Sequence, residues 1–188
     1  MKTPAIALAA LLVGTVTLEA PAQMRPEIRP FAGAYIPTGQ QRDLFRAHSM
    51  FGGQAALEIA PFFHVLGSFG WVPGQTKYAV ADREVNIFTY DVGAEVNGLV
   101  PLYGDWLLKP FAGIGLGARS YAYKADALAD RTCAAGYGAI GTEFQLDRLA
   151  LRAEARDYVY CFKAPVIGVK SKTRYDVGLS LGLAYHIW

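Results

Sequence analysis

Polar and apolar residues alternate with a period of two along much of the chain, most regularly between Thr173 and Trp188. There Tyr175, Val177, Leu179, Leu181, Leu183, Tyr185 and Ile187 fall on one face, and Arg174, Asp176, Gly178, Ser180, Gly182, Ala184, His186 and Trp188 on the other. Successive side chains of a strand point to opposite sides, so the pattern predicts a long β-strand with one unbroken apolar face. A strand on a soluble sandwich would show long Lys, Glu and Thr side chains to water, but here the second face is mostly Gly, Ser and Ala. Small residues suit the crowded inside of a barrel, which turns the aliphatic face outward, into lipid. Tyr175 and Tyr185 stand ten residues apart on that face. At roughly 3.3 Å per residue and a tilt of about 40°, they mark the two rims of an apolar band about 25 Å tall.

The same alternation marks seven earlier segments, separated by Pro-, Gly- and Asp-rich breaks. They are predicted at about Ile28 to Ile36, Met50 to Ala60, Phe62 to Val72, Phe88 to Asn97, Trp106 to Tyr121, Cys133 to Leu146 and Leu149 to Cys161. The third sets Phe63, Val65, Phe69 and Trp71 against His64 and Ser68, with Trp71 a further rim aromatic. The fourth sets Phe88, Tyr90, Val92, Ala94 and Val96 against Thr89, Asp91, Glu95 and Asn97. The seventh carries Arg152, Glu154 and Arg156 on one side and Leu149, Leu151, Ala153 and Ala155 on the other.

Connections after the odd-numbered strands are long and those after the even-numbered ones short, the asymmetry of barrels with long external loops and short periplasmic turns. An even strand count puts both ends of the mature chain on the short-turn, periplasmic side. Arg29-Pro-Phe-Ala-Gly33 returns as Lys109-Pro-Phe-Ala-Gly113, and Tyr90-Asp-Val-Gly93 as Tyr175-Asp-Val-Gly178, at offsets of 80 and 85 residues. Glu58 and Glu143 share the second offset. Two related four-strand halves account for this, and together they close a ring of eight.

Composition agrees. Of 188 residues 18% are charged and 13% aromatic, yet no run of about 20 residues is long and apolar enough for a spanning helix. A closed barrel is the other way to pair every backbone group in lipid. The net charge of +2, without a basic cluster, gives no footprint for nucleic acid. At the amino end, Met1-Lys2, an apolar run from Ala5 to Val16 and the site Ala20-Pro-Ala22 ahead of Gln23 form a secretory leader, expected to be cut between Ala22 and Gln23. The domains are then 1–22, signal peptide, and 23–188, barrel.

Twelve charges are expected on the inner face: Arg29, Lys109, Arg119, Arg152, Arg156 and Arg174 against Glu58, Asp91, Glu95, Glu143, Glu154 and Asp176. An eight-stranded barrel is just wide enough for side chains to fill, so balanced charges predict an ion-pair plug with a structural role. Glu143 and Arg152, on strands joined by a short turn, are expected within hydrogen-bonding distance. Cys133 and Cys161 are equidistant from Asp147 and form a candidate disulfide across the external ends of strands six and seven, one residue out of register. The histidines, His48, His64 and His186, form no evident catalytic set. His48 and Ser49 point to opposite faces, and His64 and Ser68 are about 13 Å apart. His64 and His186 fall near one rim. No catalytic residue, metal site or cofactor is expected.

The carboxy-terminal Gly182-Leu-Ala-Tyr185-His-Ile187, followed by Trp188, resembles the terminal-strand signal of bacterial outer-membrane barrels. That family usually stops on an aromatic in phase with the lipid face; here Ile187 holds that phase. With its leader, strand count and loop asymmetry, nearly the whole mature chain resembles the small eight-stranded OmpA/OmpX-type barrels. The resemblance implies an all-β, up-and-down transmembrane barrel in the outer membrane of a Gram-negative-type envelope, folded by the barrel-assembly machinery. Its partners would be outer-membrane lipid and whatever its external loops engage. A barrel enzyme on envelope lipids would need His with Ser or a carboxylate converging at one rim. A soluble lipocalin-like carrier would reverse the faces and line a cavity with Leu179, Leu181 and Leu183.

Overall fold

The computed structural model of the chain describes residues 24–77, 84–125, 129–162 and 172–187, without the side chains of residues 40, 161, 162 and 172. The leader and its cut between Ala22 and Gln23 lie outside the described residues, as does Trp188. Eight long strands form the wall: β1 (Arg25–Pro37), β2 (His48–Ala60), β3 (Phe63–Gln75), β4 (Glu84–Asn97), β5 (Trp106–Tyr123), β6 (Arg131–Leu146), β7 (Leu149–Phe162) and β8 (Lys172–His186). A two-residue strand, Val100–Pro101, pairs with Leu108 and Leu107 inside the β4–β5 connection.

Each strand pairs antiparallel with the next in sequence, and β1 pairs with β8 to close the ring. Closure leaves no edge with unpaired backbone groups, the condition for a sheet in lipid. The register runs from Arg25 through Glu58, His64, Glu95, Gly113, Ala139, Arg156 and Gly178 to Tyr35, ten residues beyond its start. A stagger of that size around eight strands tilts them by about 40°.

The strands run one to four residues past most of the expected ends because neighbouring strands hold them in register. β3 passes through Pro73 to Gln75; its pairing with β2 stops at Trp71, and a strand with one open side tolerates proline's missing N–H. The β2–β3 and β6–β7 connections are tight and place Phe62 (φ 67°) and Asp147 (φ 53°) in the left-handed region. A 3₁₀ turn at Gly39–Asp43 in the β1–β2 loop had no periodic signal. It helps seat Phe45 and Gln41 as fully buried groups at the loop end of the barrel.

Inward glycines let this narrow ring close around bulky side chains. The Tyr137 ring occupies the space a Cβ on Gly115 would need, 2.4 Å away, and a Cβ on Gly33 would meet the Leu179 carbonyl oxygen at 2.0 Å. Since that oxygen is backbone, Gly33→Val must push β1 from β8. We expect a loss of about 1–3 kcal/mol, as for overpacking generally, read as an earlier urea midpoint for the folded barrel.

The internal repeat has a structural counterpart. β1 and β5 carry the Pro-Phe-Ala-Gly segments, with Phe31 and Phe111 facing inward, and β4 and β8 carry the Tyr-Asp-Val-Gly segments. Each repeated aspartate bridges an arginine and tyrosine: Asp91 takes Arg156 at 3.1 Å and the Tyr158 hydroxyl at 2.9 Å. Asp176 pairs with Arg119 at 3.6 Å and accepts from the hydroxyls of Tyr35 and Tyr160.

Candidate functional site: the charged lumen and its turn-end vestibule

The alternating strands send their charges inward at two heights. Nearer the short-turn end, Arg29 pairs with Glu27, with Glu95 at 3.3 Å and with Glu143 at 3.6 Å. Arg152 reaches Glu95 at 2.5 Å and Glu154 at 2.8 Å, and also donates to Glu143. Arg156 joins Glu154 at 2.7 Å to Asp91. Gln54 donates to Glu154 at 3.1 Å, and the Arg152 guanidinium lies 3.5 Å from the Phe111 ring centre. All eight charged residues of this network are buried, where an arginine fork holding several carboxylates is the arrangement that offsets desolvation.

Nearer the loop end the chemistry changes to one arginine among tyrosines. Arg119 is fully buried, 3.6 Å over the Tyr158 ring, with Tyr35 and Tyr160 within 5.5 Å. Tyr121 donates to Tyr160 at 2.9 Å. Above them Phe45, Val72, Val85 and Ile87 form a buried apolar layer. Cavities of about 10 Å³ lie among the network residues, room for about one water.

The outer wall is the opposite. Val92, Ile114, Leu116, Ile140, Leu151, Leu179, Leu181 and Leu183 are all exposed, as are the rim aromatics Trp71, Tyr175 and Tyr185. A continuous apolar belt of this kind exceeds what a soluble surface carries. Since Leu179, Leu181 and Leu183 line the outside, the lipocalin-like arrangement is excluded.

A vestibule of about 300 Å³ opens at the turn end, walled by Arg25, Glu58, His64, Asn97, Lys109 and His186 among others. His186 Nδ1 lies 2.7 Å from Glu27, and His64 Nδ1 is 3.1 Å from the Asn97 amide. His48, at the other end of the wall, accepts from the Gln75 N–H at 2.9 Å. Ser68 belongs to the Arg156–Asp91 network. Among the described residues these contacts assemble no histidine–serine pair.

No protein-family model matches the chain, and no curated protein does. Solved structures match over nearly its whole length. OprG of Pseudomonas aeruginosa is 13% identical with a TM-score of 0.60, covering 87% of this chain and 96% of its own. Neisserial surface protein A is 12% identical with a TM-score of 0.57, over 85% and 96%. Ail of Yersinia pestis, solved in complex with the heparin analogue sucrose octasulfate, is 15% identical with a TM-score of 0.51, over 87% and 99%. This chain has the fold of the small eight-stranded outer-membrane β-barrels.

Placed on this barrel, the expected inner charges all take the inward phase, and Glu143 and Arg152 meet as directly paired neighbours that hydrogen-bond. Two differ from expectation in height. Glu58 is half-buried at the mouth, 4.0 Å from Arg25, and Lys109 lies on the vestibule wall with no ion pair within 4.0 Å among the described residues. Neither belongs to the buried network. Arg174 is buried on the inner face of β8. Glu27, at 2% exposure, was missed because the first strand was expected to start at Ile28; its i, i+2 spacing from Arg29 was the available signal. The expected six-against-six balance thus gives way to a network with five carboxylates and three guanidiniums. Continuing the β6–β7 register beyond Ala135–Tyr160 sets Cys133 across from residue 162. The Cys161 side chain lies outside the described residues.

Proposed function

We propose that the chain is an outer-membrane protein whose closed barrel serves as a rigid mount, with its external loops as the working surface. The observation that carries this is the opposition of faces: an exposed aliphatic belt outside and paired guanidinium–carboxylate groups inside. In this reading the leader directs export, the barrel-assembly machinery inserts the mature chain, lipid covers the belt and both ends face the periplasm. The tight packing of Arg152, Arg156, Phe31 and Tyr158 around cavities of about 10 Å³ supports a lumen that passes no hydrated ions. The complex of Ail with the heparin analogue sucrose octasulfate supports ligand binding as work this fold can do. An enzymatic role finds no support in the contacts of His48, His64 and His186.

The test is fractionation followed by reconstitution. The chain should sediment with outer membranes and migrate differently on gels before and after boiling. In planar bilayers at neutral pH it should give no discrete conductance steps. Recovery in the soluble fraction would overturn the membrane reading, and regular single-channel steps the closed lumen.

A further inference from the structure

The turn-end network carries an imbalance. Its five carboxylates, Glu27, Asp91, Glu95, Glu143 and Glu154, are joined through ion pairs to three guanidiniums, Arg29, Arg152 and Arg156. With the adjoining His186, whose Nδ1 lies 2.7 Å from Glu27, counted as neutral, the formal charge of this buried group is −2. Uncompensated charge away from water is costly, so such a network calls for a proton, a cation or both.

The three guanidiniums are shared among the carboxylates. Arg156 serves Asp91 and Glu154, whereas Glu27 and Glu143 share Arg29 with Glu95, and Arg152 divides among Glu95, Glu143 and Glu154. Beside Glu27, which meets one guanidinium, and Glu143, whose Oε1 meets two, stands His186, its Nδ1 2.7 Å from Glu27. Glu27, Glu143 and His186 each offer one ligand atom within 4.8 Å of the others, and all three are buried. Ligand atoms about 2.1 Å from a tetrahedral zinc-class ion stand about 3.3 Å from one another, so a shift of about an ångström would close the set. A separate observation points the same way. Glu143 is 1% exposed, and its Oε2 has no hydrogen-bond partner among the described residues, although a buried acceptor normally has one. The vestibule of about 300 Å³ reaches His186, providing a path for an ion and room for the waters that would complete its coordination.

We propose that Glu27, Glu143 and His186 form a site for one divalent transition-metal ion of the zinc class, at the turn-end floor of the lumen. One such ion cancels the −2 of the network. One imidazole with two carboxylates suits zinc and its first-row neighbours better than magnesium or calcium, which favour all-oxygen shells. Arg29 already holds Glu27 and lies 3.6 Å from Glu143, so the metal adds to the guanidinium rather than replacing it, which moderates affinity. Bound metal also ties β1, β6 and β8 together across the lumen.

The experiment uses the folded full chain purified from membranes in detergent, stripped with chelator and dialysed against zinc chloride at pH 7. Metal is counted by elemental analysis, and folding is checked by gel migration before boiling. About one zinc per folded barrel is expected. His186→Ala should weaken binding by at least about tenfold while still folding, and His48→Ala should leave it unchanged. Glu143→Gln is the second variant and should behave as His186→Ala. Fewer than about 0.2 zinc per folded barrel would overturn the site. So would wild-type affinity in folded His186→Ala, or equal loss in His48→Ala. If neutralisation is by protons alone, the folded barrel takes up no zinc and the proposal fails.

Discussion

Replacing Arg152 with alanine should destabilise the barrel by about 3–5 kcal/mol, the usual cost of leaving buried charge without its partner. The side chain donates to Glu143, reaches Glu95 at 2.5 Å and Glu154 at 2.8 Å, and stacks 3.5 Å over Phe111. Without it three carboxylates lose a shared cation, the network moves from −2 to −3, and the Phe111 ring faces a void. Arg25→Ala is the control. Arg25 is exposed and 4.0 Å from half-buried Glu58, so its loss should cost no more than about 0.5 kcal/mol. The measurement is the urea dependence of folding in lipid vesicles, followed by gel migration and tryptophan emission. Because the cost in Arg152→Ala is largely the unpaired carboxylates, adding Glu143→Gln should recover part of it, a coupling of about 0.5–3 kcal/mol. If Arg152→Ala and Arg25→Ala unfold together, the inner network is not what holds the wall in place.

The contrast between these arginines also shows what the sequence could reveal. Period-two alternation assigns a residue to a face; the barrel has all twelve expected inner charges on the inward phase and Leu179, Leu181, Leu183 and the rim aromatics on the outer one. Alternation carries no information on height. Height follows from strand tilt and from a stagger of ten residues around the ring, which emerge only when every register is fixed. Glu58 and Lys109 thus had the right face but lie at the mouth, whereas Arg119 and Asp176 sit in a separate layer among tyrosines. The tyrosines went unnoticed as a group because Tyr35, Tyr121, Tyr158 and Tyr160 come from three strands. Phe45 was hidden for a related reason: one aromatic in a polar loop has no periodicity, and its burial depends on the lumen below it. Eight strands, their order and their short turns were legible because each is local or nearest-neighbour in character.

An arginine in place of Leu181 should cost about 2–4 kcal/mol of folding free energy in vesicles, whereas Tyr185→Arg should cost about 0–1 beyond the loss of its ring. Leu181 is 62% exposed on the outer face of β8, midway along the belt, with Ala153 and Ala32 as its paired neighbours on β7 and β1. Those alanines leave a new guanidinium no polar partner at that depth, so it must snorkel several residues to reach water. Tyr185 is already at the rim, where the headgroup region can solvate a charge. The depth dependence is the informative quantity. On a barrel whose leucines faced water, both substitutions would be ordinary surface changes, each within about 0.5 kcal/mol of wild type. A larger penalty for Leu181→Arg than for Tyr185→Arg therefore requires a low-dielectric band around the waist of the barrel, and equal penalties would refute it. The comparison separates the belt from the lumen, since neither substitution touches Arg29, Arg152 or Arg156. It remains decisive even if the metal site at Glu27, Glu143 and His186 fails its own test.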